Sequence, residues 1–364
     1  MIPVLYLSHT GASVGGGEKQ LYYLLTHLDR KKYQPIVVFP EDGVFADQVR
    51  KADIPSFILN LPHWRRVISR LSRNRAAANL TKLAEKHDIQ IIHTSDSWFN
   101  PYILQLKKRL KIPVISHVRN LLTSHQVSKY SFADMDYIIS ISEQSKIPLI
   151  ESGISMEKIE VILNCVDLNE FTPSLEKDKR STDDFTIGII GRIEPFKQQK
   201  NFVEIANIVN KQCKNVQFQI IGDVLEIPKH QSYFRDVQDL VQQYGLDDVM
   251  HFTGFRNDIP MILQQIDLLV TLSAGSVIAE AMASGKPVIG TAVGSTSDMI
   301  VDGLTGWVIP EDSIALMDDR IVQLYKDPKM CEEFGVAARK HAESHFGIDQ
   351  HVHRIQNIYQ KLLG

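Results

Sequence analysis

The sequence predicts two α/β domains, each a doubly wound parallel sheet covered by helices. Short apolar runs alternate with amphipathic helical stretches along the whole of the 364-residue chain. The apolar runs are continuous rather than alternating, which is how strands buried on both faces read. The length exceeds one ordinary core and suits two domains of roughly 150–200 residues.

In the first half "PVLYLS" leads through a Gly-rich turn into "EKQLYYLLTHL", where Leu21, Leu24, Leu25 and Leu28 recur at helical spacing. "QPIVVFP", "IQIIHTS", "IPVISHV" and "DYIISIS" follow as buried strands. The second half repeats the scheme with "FTIGIIG", "VQFQIIGD", "DDVMHFTG", "IDLLVTL" and "KPVIGTA". The polar, Pro/Ser/Asp-rich stretch 172–184 reads as the interdomain linker, giving domains of 1–172 and 173–346. Val352, Ile355, Tyr359 and Leu362 form one stripe of a last helix, 347–364.

Hydrophobic content of 44% and charged content of 23% describe a soluble globular chain. Cys165, Cys213 and Cys331 are far apart and lack zinc spacing, so they read as reduced thiols in a cytoplasmic protein. The start "MIPVLYLSHTG" goes straight into a strand, so no signal peptide is expected. No run of about 18 apolar residues is present to span a bilayer. Residues 1–175 carry 21 Lys+Arg against 17 Asp+Glu, while the chain as a whole nets −3. A basic front and an acidic back imply different partners for the two halves. The negative total and the lack of a groove-reading module argue against nucleic acid.

Ligands in such sheets bind beyond the strand carboxyl ends, so the loops carry the functional signal. In "GASVGGGEK" (11–19), Gly15, Gly16 and Gly17 permit close backbone approach to a phosphate or sugar, or form a plain turn. "GRIEPFK" (191–197) follows a buried strand and places Arg192 and Lys197 on one short loop, a fork and a point charge suited to a diphosphate. In "TLSAGSVIAEAMASGKPVIG" (271–290) a strand ends, 273–276 turns, and a helix runs to Gly285. Its amino end is a second anion site. Glu280, about one turn in, suits vicinal hydroxyls such as a ribose, or is a core Glu satisfied by backbone.

These motifs, with "SISEQSK", "EKIEVILNCVDLNEFTP", "FTGFRNDI" and "VIAEAMASGKPVIGTAVGSTSDMIVDGLTGWV", resemble glycosyltransferase family 4. The resemblance implies a GT-B fold, two Rossmann-like domains facing each other across a cleft, with an acceptor domain first and a nucleotide-sugar domain second. It implies retaining, metal-independent transfer of a hexosyl unit from a nucleotide-diphosphate sugar, UDP by family frequency, to a glycan or lipid-linked acceptor in envelope or exopolysaccharide synthesis. No separate cofactor is implied. Arg192 and Lys197 then clamp the diphosphate, Glu280 holds the ribose, and the backbone of Gly275, Ser276, Val277 and Ile278 caps the phosphates. Gly16, Gly17 and Gly191 line the donor, Gly254 and Phe255 lie near the base, and His117 of "SHVRN" lies near the transferred sugar. The leaving phosphate, rather than a side chain, helps deprotonate the acceptor.

The chain also departs from the family. Leu272 stands eight positions before Glu280, where the family has a first Glu, and the loop between Ser273 and Gly275 is short. The sugar is then handled differently, a stretch of sequence is lacking, or the chain is a catalytically impaired nucleotide-binding partner subunit. An epimerase or phosphorylase of the same architecture fits the 277–308 run less well. Cys165, Gln198, Ser295 and Asp298 are smaller departures.

Other features have plainer readings. "DMD" (134–136) reads as a solvated turn, and His9, His93 and His251 as core or edge histidines. No His/Asp/Glu spacing suggests a metal. The basic stretch 61–82 puts Trp64, Ile68 and Leu71 on one helical stripe and Arg66, Arg70 and Arg73 opposite. Trp64, Arg65, Arg66, Arg70, Arg73 and Arg75 thus form a solvated face, or a patch for an anionic membrane surface or lipid-diphosphate acceptor. The latter reading implies a peripheral protein on the inner face of the membrane. Oligomeric state is not legible.

Overall fold

A computed structural model describes every residue except 63, 65–69, 175–183 and 314. The chain forms two compact units, Met1–Asn164 with Ile348–Gly364, and Cys165–Gly347.

The first unit holds a seven-stranded sheet. Its strands are β1 (Ile2–Leu7), β2 (Tyr33–Phe39), β3 (Ser56–Ile58), β4 (Ile91–Thr94), β5 (Val114–Val118), β6 (Tyr137–Ser140) and β7 (Ile159–Val161). All pairings are parallel, in the order β3-β2-β1-β4-β5-β6-β7. The continuous apolar runs become the buried centre, with Val4, Leu5, Leu7, Ile91, Ile92 and Val114 fully enclosed. The C-terminal helix Ile348–Leu363 packs its Val352, Ile355 and Tyr359 stripe into this unit. Its Tyr359 hydroxyl lies 2.9 Å from that of Tyr6 in β1 and 2.6 Å from Nδ1 of His93 in β4.

The second unit holds β8 (Phe185–Ile190), β9 (Val216–Ile221), β10 (Met250–Gly254), β11 (Leu268–Thr271), β12 (Val288–Thr291) and β13 (Gly306–Ile309). They pair in parallel in the order β10-β9-β8-β11-β12-β13. Helices Gln199–Gln212 and Leu316–Lys326 supply Phe202, Val209, Met317 and Ile321 to its core.

The unit boundary falls at Asn164/Cys165, ahead of the 172 expected. Residues 165–172 are held by the second unit through a Val166–Gly347 bridge and through Arg339 Nη1, which donates to the carbonyls of Phe171 (2.7 Å) and Ala283 (2.6 Å). Most of the expected linker, 175–183, lies outside the described residues. Among the described residues no helix is long and apolar enough to cross a membrane.

Candidate functional site

In the second unit β8 and β11 are neighbours although β9 and β10 intervene in sequence, so the strand order reverses between them. A crevice opens at such a point beyond the strand carboxyl ends. The loops that leave β8 and β11 there are the two expected to carry chemistry.

The Lys197 ammonium donates to the Ala274 carbonyl at 3.0 Å, joining the first loop to the second. Gln198, in the left-handed region at φ 57, donates from Nε2 to the Leu272 carbonyl at 3.0 Å and fastens the same junction. Burial lowers the Lys197 pKa, Glu194 opposes that shift, and Arg192 adds to it. The Arg192 guanidinium is 63% exposed and lies 3.4 Å from Glu194, whose other oxygen is 3.9 Å from His230 Nε2. Gln199 holds the Arg192 carbonyl at 2.9 Å, so the backbone beneath the guanidinium is fixed.

Glycines make the floor. The Lys197 side chain runs over Gly191, where a Cβ would lie 3.2 Å from its Cε. Gly222, at the end of β9 with φ +140, would place a Cβ 2.0 Å from the Gly191 carbonyl oxygen, so only glycine fits. Its N–H donates to the Gly254 carbonyl at 3.1 Å. Gly191, Gly222 and Gly254 thus run across the ends of β8, β9 and β10. Gly254 and exposed Phe255 therefore stand two strands away from Arg192 and share its shelf through Gly222. None of the sequence motifs singles out Gly222, and a glycine directly after an apolar strand is the signal that could have found it.

Helix Val277–Ala283 begins beside this junction, and a Cβ on Gly275 would lie 3.4 Å from Lys197 Nζ. Ser276 provides no side-chain cap, which leaves the first-turn N–H groups to another acceptor. Glu280 is half-buried within this helix. Leu272 is fully buried, so the short loop presents no carboxylate there. The arrangement of two cations, a helix amino end and a glycine floor can bind a diphosphate.

The first unit gathers a different set. His117 in β5 is buried, stacked on His93 at 5.6 Å and 18°. Its Nδ1 accepts from Arg119 Nη2 at 3.4 Å, which places the proton of the neutral ring on Nε2. That Nε2 is buried without a hydrogen-bond partner. Burial, then the Arg119 charge, holds the His117 pKa well below the usual histidine value. The side chain of Arg119 also runs beneath Gly17, where a Cβ would lie 3.6 Å from its Cδ. Gly16 opens the helix Gly16–His27, and the Gly15 N–H is already taken by Glu18 at 3.0 Å.

The stripe expected of the basic stretch is not formed by Trp64 and Leu71. Trp64 is half-buried, edge-on to Tyr102 at 4.7 Å, with the Arg73 guanidinium 5.4 Å from its ring. Leu71 is 86% exposed, so the two share no stripe. Packing on Tyr102, distant in sequence, overrides the local periodicity. Arg75 is exposed, while Arg65, Arg66, Ile68 and the Arg70 side chain lie outside the described residues. Asp136 of "DMD" pairs with Lys107 at 2.7 Å. His251 bonds Gln217 at 2.9 Å. Among the described residues no group of three or more His, Cys, Asp or Glu could hold a metal.

Two family models match the chain, one described as Glycosyltransferase Family 4 over residues 14–170 and one as Glycosyl transferases group 1 over 171–341. The chain belongs to glycosyltransferase family 4. A D-inositol 3-phosphate glycosyltransferase of Paenarthrobacter aurescens is 30% identical over 53% of this chain and 49% of that one. The UDP-Gal:alpha-D-GlcNAc-diphosphoundecaprenol alpha-1,3-galactosyltransferase of Escherichia coli is 24% identical over 86% of this chain and 84% of that one. The chain spans about half the length of the first curated relatives it matches, 51% and 49%. Anabaena Alr3699/HepE, solved with UDP and glucose, superposes with a TM-score of 0.83 at 21% identity over 100% of both chains. Solved GT-B glycosyltransferases thus share the fold of two Rossmann-like domains.

Proposed function

We propose that the protein is a retaining, metal-independent hexosyltransferase that moves a hexosyl unit from a UDP-sugar to a hydroxyl of a glycan or lipid-linked acceptor. The observation that carries the reading is the junction of the two loops at the switch point of the second unit. There Lys197, which feels the charge of Arg192, bonds the Ala274 carbonyl just ahead of helix Val277–Ala283. Positive charge so placed stabilises the negative charge that grows on a departing diphosphate, the work a divalent ion does elsewhere. Glu280 would accept from the ribose hydroxyls. His117, neutral with its proton on Nε2, would donate to a hydroxyl of the transferred sugar. UDP is favoured by HepE, solved with UDP and glucose, and by the Escherichia coli relative, named for UDP-Gal. That relative's diphosphoundecaprenol acceptor, together with the basic 61–82 run, favours envelope or exopolysaccharide assembly at the inner face of a membrane.

One observation favours a second reading. Buried Leu272 stands where the family's first Glu engages the donor sugar, as expected of an impaired subunit that binds nucleotide without transfer. UDP release from a set of UDP-sugars in EDTA separates the two. Release that Arg192→Ala abolishes supports transfer. Nucleotide binding with no release from any sugar supports the impaired subunit.

A further inference from the structure

The first unit has its own switch point, between β1 and β4. Leu7 and Thr94 pair across it, and the residues two positions beyond each are His9 and Asp96. Ser95 ties the ends together, with its N–H donating to the Leu7 carbonyl at 3.1 Å and its hydroxyl at 2.9 Å. Asp96 is largely buried, its side chain 16% exposed, and it divides its carboxylate between two loops. Its Oδ2 lies 3.1 Å from His9 Nδ1, and its Oδ1 accepts the Trp98 N–H at 2.8 Å. Asp96 thus orients the His9 ring and fixes the Trp98 main chain, and both side chains still reach solvent, His9 58% and Trp98 45% exposed. Tyr130 supports the indole at 5.9 Å.

A half-exposed indole packed on Tyr130 and an oriented imidazole, both fastened through Asp96, supply the chemistry that holds a sugar ring. The apolar C–H face packs on the indole, and a ring hydroxyl bonds the imidazole. We infer that Trp98 and His9, set by Asp96, form a subsite for a pyranose ring of the acceptor, so the acceptor is a glycan at the point of attachment. This rests on the glycosyl-transfer reading and narrows its acceptor class. With Nδ1 engaged by Asp96, His9 Nε2 meets the hydroxyl, and Asp96 is the positioning residue. The bond to Asp96 raises the His9 pKa against the opposing effect of partial burial, with smaller help from the charges of Asp96, Glu18 and Glu41.

The test uses the full chain and the p-nitrophenyl α- and β-glycosides of glucose, galactose and N-acetylglucosamine, titrated by saturation-transfer NMR with and without UDP. At least one glycoside should bind. Trp98→Ala should weaken it about tenfold and Trp98→Tyr by less than about threefold, the spread expected of an aromatic contact. His9→Ala should weaken the same glycoside, and Asp96→Asn should weaken it while leaving the thermal midpoint near wild type. Because the titration needs no donor, absence of UDP binding bears on the transfer reading and absence of glycoside binding on this subsite. The inference is overturned if no glycoside binds, or if Trp98→Ala binds as wild type does. It is equally overturned if only vesicles containing polyisoprenyl phosphate are bound, with Trp98→Ala no weaker.

Discussion

Replacing Lys197 with Met keeps the stem over Gly191 and removes the charge. The ammonium lies 3.0 Å from the Ala274 carbonyl, at the mouth of the anion site. A phosphate oxygen about 4 Å from it, at an effective dielectric of about 20, interacts with it by roughly 4 kcal/mol. Only the part that grows as the diphosphate departs speeds the reaction, and loss of one such donor typically costs about 2.7–4 kcal/mol, or 10²–10³ in turnover. The fold loses one charge-assisted hydrogen bond but also a desolvated cation. The net change should therefore stay within about 1 kcal/mol, a midpoint shift of roughly 2–4 °C. Steady-state UDP release from the preferred donor should show kcat down about 10²–10³-fold with KM changed far less, the pattern of an interaction made mainly in the transition state. Turnover within threefold of wild type, in a protein that melts normally, would refute the clamp.

Gly222→Ala should destabilise the second unit by about 2–4 kcal/mol, because its Cβ would meet the Gly191 carbonyl at 2.0 Å. Gly245→Ala, at φ +64 with open space around it, should cost only about 1–2 kcal/mol by urea unfolding. Tyr359→Phe strips the hydroxyl that joins Tyr6 to His93 and should cost about 1–3 kcal/mol, measured the same way. Burial holds His93 down to about 3, His351 down to about 4, and His117 well below its usual value. Below about pH 6.5 the unfolded chain therefore binds more protons than the folded one, and the stability present above that pH is lost as pH falls toward 4. Each of these histidines should contribute a slope of up to about 1.4 kcal/mol per pH unit, so the melting midpoint should fall steadily from pH 7 to 5. A flat profile would contradict their burial as neutral rings.

The central strands were legible because each is a continuous apolar run, most of them closed by Gly, Ser or Pro. Ser56–Ile58, Ile159–Val161 and Gly306–Ile309 were not, because all three lie at sheet edges, are three or four residues long, and carry too little apolar signal. Arg192 and Lys197 stood out as charges directly after a buried strand. Gly222 did not, since its need is set by the Gly191 carbonyl on the neighbouring strand. His9 meets Asp96 only through the β1–β4 register, which no local pattern carries. Trp64 departs from its expected stripe for the same reason, because its partner Tyr102 lies in the helix Asn100–Leu110.

The most direct test of the donor site is thermal unfolding of the intact chain against UDP, GDP, ADP and their sugars, without added metal. A nucleotide at 100 times its dissociation constant adds about 2.7 kcal/mol, a rise on the order of 5–10 °C. UDP should raise the midpoint, a UDP-sugar should raise it further, and Arg192→Ala should remove both shifts. No shift with any nucleotide, or full shifts retained in Arg192→Ala, would contradict a diphosphate clamp at this junction.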